Sequence, residues 1–261
     1  MKRKPLNLWD FVIFVLSLIL IFLIIYNFIK SIYYRMEYIP RNSINVSPIT
    51  GERISTFSEN LSPIEVTYSS TENAKFLAGI SEADIIYEYL GNDDRSIYKA
   101  IFYTKQPIEK YPVSQVNVLS LKSIPKFTFK DIVDIQSKYT DQADYIFINH
   151  TINNSSNFIY KDGSYRHFKN EIEDKDPSND KPVIISNIII QYIQEDVENV
   201  SKEIKGNGKG VLFCGGKVIN INWENHNSPI KITDEEGNPV SLMRGNTWWV
   251  LLKEPGSVVY K

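Results

Sequence analysis

The stretch "GISEADIIYEYL", residues 79–90, crowds Ser81, Glu82, Asp84 and Glu88 into otherwise apolar chain. Paired carboxylates at this spacing could do general acid–base work, one protonated and one ionised. No third partner stands nearby in the sequence, and two of these residues have a simpler reading. Ser81 followed three residues later by Asp84 fits the S-x-x-[DE] capping box. There, hydroxyl and carboxylate each satisfy an orphan backbone N–H of a short helical turn. Glu82 and Glu88 have no such explanation. "IIYEYL" then alternates, with Ile85, Tyr87 and Tyr89 on one face of a strand and Ile86, Glu88 and Leu90 on the other.

Other residues capable of chemistry are scattered. His150, His167 and His226 form no pair at ligand spacing and have no neighbouring cysteine, so zinc is not expected. "DKDPSND" sets Asp174, Asp176, Ser178 and Asp180 at alternate positions, as a calcium loop begins. Asn179 and Ile185 stand where that loop needs Gly and Glu, so the segment reads as a solvated acidic loop. "GNGKG", 206–210, leads into "VLFC" and a glycine turn rather than a helix, which removes the phosphate-loop reading. Cys214 lies in an apolar strand with no charged flank and reads as a packed, inert thiol. No G-x-S-x-G nucleophile turn is present. Trp223, Trp248 and Trp249 could face a glycan or peptide groove, although alternation makes at least one of the last two core. No cofactor and no metal are called for.

The elements that would position these residues are mostly strands. "PIEVTY", "IIYEYL", "SIYKAIFYT" and "PVSQVNVLSL" read as strands, with "GNDD" turning the second into the third. Beyond Pro125 the pattern is almost wholly β. Seven strand-like runs from "ADYIFINHT" to "NTWWVLL" include "VENVSKEI", and "KDG", "CGGK" and "EEGNP" mark hairpin turns.

Composition narrows the class. The 261 residues carry 29 Lys+Arg against 31 Asp+Glu, which removes the clustered basic surface that nucleic acid requires. A single cysteine allows no intrachain disulfide. "FVIFVLSLILIFLIIYNFI", residues 11–29, is uncharged and apolar all round. As a helix it would span roughly 28 Å, close to a bilayer's hydrocarbon core. No cleavage site or lipid-accepting cysteine follows it, so it reads as an uncleaved anchor. The cluster Lys2, Arg3 and Lys4 is denser than Lys30, Arg35 and Arg41, which favours residues 1–10 in the cytoplasm. Residues 30–58, with Pro40, Pro48 and several Asn and Ser, read as a stalk.

The blocks "ITGERI", "GISEADIIYE", "NFIYKDGSYRHF", "VIISNIIIQY", "GNGKGVLFCGGKVININW" and "DEEGNPVSLMRGNTWW" occur in an order that resembles the YerB-like lipoprotein family. The resemblance runs over roughly residues 47–253. It implies a two-lobed, extracytoplasmic, α+β protein of a Gram-positive bacterium, in a family whose biochemical role is largely undefined. The expected layout is a shortened α+β lobe at 59–122, a mostly antiparallel β lobe at 123–255 and a tail at 256–261. The chain departs from the family at Ser69-Ser70, at Lys75-Phe76-Leu77 and in "YPVSQVN", 111–117, where polar residues are replaced. A cleft in the first lobe is therefore expected to be lost, and Ser81, Glu82 and Asp84 to be architecture.

The resulting expectation is a single-pass membrane protein whose body lies outside the cytoplasm and holds an envelope protein or wall polymer without catalysis. The rival expectations are an envelope hydrolase using Glu82, Glu88 or His167, and a wall-glycan binder using exposed aromatics.

Overall fold

Alternating side chains suit a strand only when both faces find cover or water, and here most strands are covered twice. The computed structural model describes residues 17, 21, 23–27, 46–54, 62–68, 77–91, 94–105, 115–194, 204–226, 229–253 and 256–261. The chain divides into two units, Met1–Ile44 and Asn45–Lys261. In the first, residues 17, 21 and 23–27 are helical, and Asn27 donates its side-chain amide to the Leu23 carbonyl at 2.8 Å. Most of the span expected at 11–29 lies outside the described residues. No helix among the described residues is long and apolar enough to cross a membrane.

The second unit is mostly β. Its strands in chain order begin with β1 (Ile64–Tyr68), β2 (Ile85–Leu90), β3 (Ser96–Phe102), β4 (Gln115–Val118) and β5 (Thr128–Lys130). A short helix, α1 (Ile132–Lys138), leads into β6 (Tyr145–Thr151), β7 (Asn154–Lys161), β8 (Ser164–Lys169) and β9 (Ile172–Glu173). Three two-residue strands follow, β10 (Lys175–Asp176), β11 (Lys181–Pro182) and β12 (Ile184–Ile185), then the longer β13 (Asn187–Ile193). The remainder are β14 (Gly206–Cys214), β15 (Lys217–Asn225), β16 (Lys231–Asp234), β17 (Ser241–Met243), β18 (Thr247–Lys253) and β19 (Ser257–Tyr260).

A nine-stranded mixed sheet runs β16-β15-β14-β13-β18-β2-β3-β1-β4, and a second, antiparallel sheet runs β12-β8-β7-β6-β19 with β9 on β8. The strand β18, "TWWVLLK", lies parallel to both its neighbours, β13 and β2, and six of its seven residues are buried. Such a run, apolar on both faces, belongs in the middle of a covered sheet. Trp248 points into one apolar layer with Ile86, Phe158 and Tyr165, between the two sheets. Trp249 points into the opposite layer with Leu212, Ile221 and Leu242. The face assignment read from "IIYEYL" holds: Ile86 joins the first layer, while Ile85 and Tyr89 join clusters on the other side.

Several expectations are corrected. Strands from the expected lobes at 59–122 and 123–255 share one sheet, where β2 pairs with β18, Ile86 opposite Trp248. No α-helix occurs among the described residues of 59–122; the helix that does occur, α1, went unread because seven residues with one buried position, Ile135, show no period. Part of the stalk is body: Ile49 is buried with Ile85, Ile101, Tyr103 and Ile124, and the Thr50 carbonyl accepts from Gly245 N at 2.8 Å. The tail at 256–261 contains β19, which pairs with β6, because "SVVY" is short but β-branched. The strand expected at "VENVSKEI" lies almost wholly outside the described residues.

If β19 is part of the sheet, deleting Ser257–Lys261 removes the bonds from Asp144 and Tyr145 N–H to the Lys261 carbonyl, at 2.8 and 3.0 Å. It also removes the Phe213–Tyr260 ring contact at 5.4 Å. The expected loss is about 2–4 kcal/mol in urea unfolding; a loose tail would cost nothing measurable.

Candidate functional site

The sequence places Glu88 on the inward face of β2, and the polar residues it meets come from strands far along the chain. Its carboxylate is fully buried. It accepts from Lys169 Nζ at 2.7 Å, Ser96 Oγ at 2.9 Å and Tyr98 OH at 3.2 Å. It also accepts from Ser156 Oγ at 2.7 Å and Trp248 Nε1 at 2.9 Å. Two carboxylate oxygens offer about four lone-pair sites, so five donors saturate them. His150 Nε2 reaches only 3.4 Å from Glu88 Oε1 and makes no hydrogen bond.

Lys169 is the counter-charge. Beyond Glu88, its ammonium lies 2.7 Å from Ser96 Oγ and Asn154 Oδ1 and 3.3 Å from Ser156 Oγ. A carboxylate and three neutral oxygens thus surround its three N–H groups, which leaves none of them for a further acceptor. Burial by itself would lift the Glu88 carboxyl, but Lys169 and then His150 hold it well below the usual carboxylate range. The Tyr98 phenol, buried beside that charge, is pushed up.

His167 is one step away. It is fully buried, bonded through Nδ1 to Asp174 Oδ2 at 2.8 Å, and stacked on Trp248 with ring centroids 4.1 Å apart. Its Nε2 has no hydrogen-bond partner among the described residues. Glu82 does not join this cluster; it lies at the surface in an ion pair with Lys105. The structure thus brings Glu88 and His167 into one layer and leaves Glu82 outside it. Sequence reading missed Lys169, Ser96, Asn154 and Ser156. The available signal was the alternation of Tyr165, His167 and Lys169, which sends a lysine inward on β8.

Ser81 and Asp84 do not form the expected capping box. The 3-10 turn Ile80–Glu82 starts from Gly79 in the left-handed region, with no side-chain cap. Ser81 instead turns to the acidic loop. Asp176 accepts from Ser81 N and Oγ at 2.9 and 2.6 Å, from Gly79 N at 2.9 Å, and from Ser178 N and Oγ at 2.8 and 2.6 Å. Asp84 accepts from Tyr103 N, Thr104 N and Thr104 Oγ1 at 2.5, 3.0 and 2.5 Å, tying the start of β2 to the end of β3. No group of His, Cys, Asp or Glu able to hold a metal occurs among the described residues. Cys214 donates to Asn187 Oδ1 at 3.2 Å, and burial pushes its thiol up to about 12, which makes it a poor nucleophile.

The other side of the nine-stranded sheet is less complete. A cavity of about 840 Å³ is lined by Glu65, Tyr87, Lys99, Asn117, Gln191, Asn225 and Leu251, among others. It is bordered by β1, β3 and β4 on one side and by β13, β15 and β18 on the other. Ser69, Ser70, Lys75 and Phe76 lie outside the described residues.

With this geometry in place, residues 146–249 match the family model described as the C-terminal domain of a protein of unknown function, DUF3048. The whole fold is similar to the crystal structure of the YerB protein from Bacillus subtilis. The TM-score is 0.60 at 15% identity, covering 82% of this chain and 99% of that one. The YerB-like resemblance read from the sequence therefore holds for the fold and, over 146–249, for the family domain. No curated protein matches the chain. The matched segment supplies His150, Asn154, Ser156, His167, Lys169 and Trp248 to the buried cluster; Glu88, Ser96 and Tyr98 come from the strands before it.

Two predictions follow from the buried carboxylates. Glu88→Ala leaves Lys169 without its counter-charge and is expected to cost about 3–5 kcal/mol in urea unfolding, whereas Glu82→Ala stays within about 0.5 kcal/mol. The Asp176 carboxyl is held below its ordinary value: burial opposes ionisation, but Ser178, Ser81 and Gly79 outweigh it. A depressed folded value means stability present above the unfolded value, about 3.9, and lost as pH falls through the folded one. Asp176→Asn should therefore be less stable than the parent at pH 7. The gap should narrow as pH falls toward 3, read from paired melting curves.

Proposed function

We propose that this chain is a single-pass membrane protein, anchored through residues 11–29, whose body outside the cytoplasm binds an envelope component without catalysing a reaction on it. The observation that carries this reading is the saturation of the Glu88 cluster. Its carboxylate, with five donors and no exposed surface, has no lone pair left for a substrate proton. His167 faces Asp174 and an indole rather than solvent. General acid–base chemistry needs a group within hydrogen-bond reach of a bound substrate, and neither residue offers that access. The anchor is supported by Ile21, Leu23, Ile24 and Ile25, helical residues whose side chains are about half exposed or more. Lipid accommodates such a surface without the cost that water imposes.

A glycan reading loses Trp223, Trp248 and Trp249, whose rings are all buried, and would have to use exposed rings such as Tyr145 and Phe147 on β6. Stacking on sugar needs an open ring face.

In living cells, crosslinking of the tagged full-length protein is expected to capture one envelope component reproducibly, with capture lost when residues 45–261 are removed. Protease added outside the membrane is expected to degrade the body. Turnover of a peptide, ester or glycan substrate that vanishes in a folded Glu88→Gln or His167→Gln variant would overturn the non-catalytic reading; protection of the body from external protease would overturn the orientation.

A further inference from the structure

Asn154 and Lys169 stand on neighbouring strands, β7 and β8, and both turn toward Glu88 on β2 of the other sheet. Lys169 Nζ lies 2.7 Å from Asn154 Oδ1 and 2.7 Å from Glu88 Oε1. A C=O bond is about 1.2 Å long, so the carbonyl carbon of that amide lies within about 4 Å of the amine nitrogen. An amine, a carboxamide and a carboxylate thus meet in a layer where Asn154 is 7% and Glu88 0% exposed. Docking the two sheets calls for the charged pair alone. An amide carbonyl within reach of the amine is an addition, and it is the arrangement that acyl transfer to nitrogen needs.

The amide is held for attack. Its Nδ2 donates to the Asp94 carbonyl at 2.9 Å, which turns Oδ1 toward the amine. Ser96 Oγ lies 3.1 Å from Asn154 Oδ1 and 2.9 Å from Glu88 Oε1. Its single proton is free to polarise the carbonyl once Glu88 carries a proton of its own. The walls are aromatic. Lys169 Nζ is 5.7 Å from the Tyr98 ring centroid, and Trp248 meets Tyr98 and Phe158 edge-on at 5.9 and 5.7 Å. Such walls disfavour ions, and one proton moving from Lys169 to Glu88 along their hydrogen bond makes both groups neutral.

We propose that Lys169 and Asn154 become joined through their side chains by an amide bond, with Glu88 handling the protons and one ammonia released. Lys169 Nζ passes its first proton to Glu88, and its lone pair then forms a bond to Asn154 Cγ while the C=O electrons move onto Oδ1. A second Nζ proton reaches Nδ2 by way of Glu88. The Cγ–Nδ2 bond breaks, the C=O reforms, and Nδ2 leaves as ammonia. Nζ keeps its third proton as the new amide N–H, and the first proton stays on Glu88. Nothing is oxidised or reduced.

This reaction is internal and happens once per molecule, so a sparsely populated neutral pair is sufficient. It does not rest on the envelope-binding reading. Nor does it conflict with the saturation of Glu88, which takes protons only from a partner it already holds. The charged pair docks the sheets, and the bond then locks β7 to β8 in a chain whose single cysteine, Cys214, allows no disulfide.

The test is the intact mass of the full-length protein, purified in detergent and then denatured. The expected mass is one ammonia below the sequence mass. Trypsin should fail to cut after Lys169 and should yield one branched peptide joining residues 139–161 to residues 167–175. The full sequence mass would overturn the proposal. Ammonia loss without the branched peptide would do the same, because a cyclic imide at an asparagine loses ammonia but joins no two peptides. Asn154→Ala leaves the Glu88–Lys169 pair in place and is expected to show the full mass of its own sequence. A folded Glu88→Gln variant should also remain unlinked, and a linked one would remove Glu88 from the reaction. If neither variant folds, the mass and the branched peptide of the parent decide by themselves.

Discussion

The ion pair between Glu88 and Lys169 is the constraint on which the arrangement of the two sheets depends. Glu88 sits on β2 of the mixed sheet, and Lys169 ends β8 of the antiparallel one. Neither charge can be buried alone without a penalty of several kcal/mol, so the sheets must close with this register or fail to close well. The neutral donors sharpen the fit. Ser96 and Tyr98 come from β3, Ser156 from β7 and Trp248 from β18, so one carboxylate reads the positions of four further side chains. A hydrophobic core would tolerate a slip more easily, since apolar contacts are not directional. The polar cluster therefore acts as a registration device within an otherwise apolar layer of Ile86, Phe158 and Tyr165.

Two other buried carboxylates extend the same logic outward. Asp176 gathers the Gly79–Ser81 turn and Ser178, while Asp84 gathers the turn at Tyr103 and Thr104. Both use backbone N–H groups that an irregular segment would otherwise leave unpaired. "SEAD" and "DKDPSND", which look like rival sites in the sequence, are two halves of one tie.

How much of this was legible depended on range. Local signals were read well. "KDG" and "CGGK" turn through residues with positive φ, Asp162 and Gly163 at 54° and 85°, Gly215 and Gly216 at 62° and 73°. The grouping of Glu88 with Ile86 on one face of β2 also followed from alternation, but not which sheet that face meets. Pairing order did not, because a strand run carries no label for its neighbours: nothing in "TWWVLLK" says that it separates β13 from β2. The polar partners were hidden for the same reason. Lys169 lies 81 residues from Glu88, and Asp176 lies 95 from Ser81. At that distance a serine or lysine looks like surface until the fold turns it inward. The glycines of "GNGKG" show the opposite case, a pattern that suggested chemistry but serves packing. A side chain at Gly208 would meet the Trp223 indole at 2.8 Å, so the glycine lets that ring lie over the strand.

The saturation of one carboxylate carries the functional argument. On the face toward the second sheet, every oxygen of Glu88 is matched and closed from solvent, which favours rigidity over reaction. On the other face, Gln191 and Asn225 line a cavity and each holds a neighbour, Gln191 the Trp249 indole N–H and Asn225 the Ile204 carbonyl. By fixing β2 and β18 against the second sheet, the charged pair also fixes Tyr87 and Leu251 on the cavity's side. Rigid strands hold a cavity's shape before anything enters it, and that lowers the entropy lost on association.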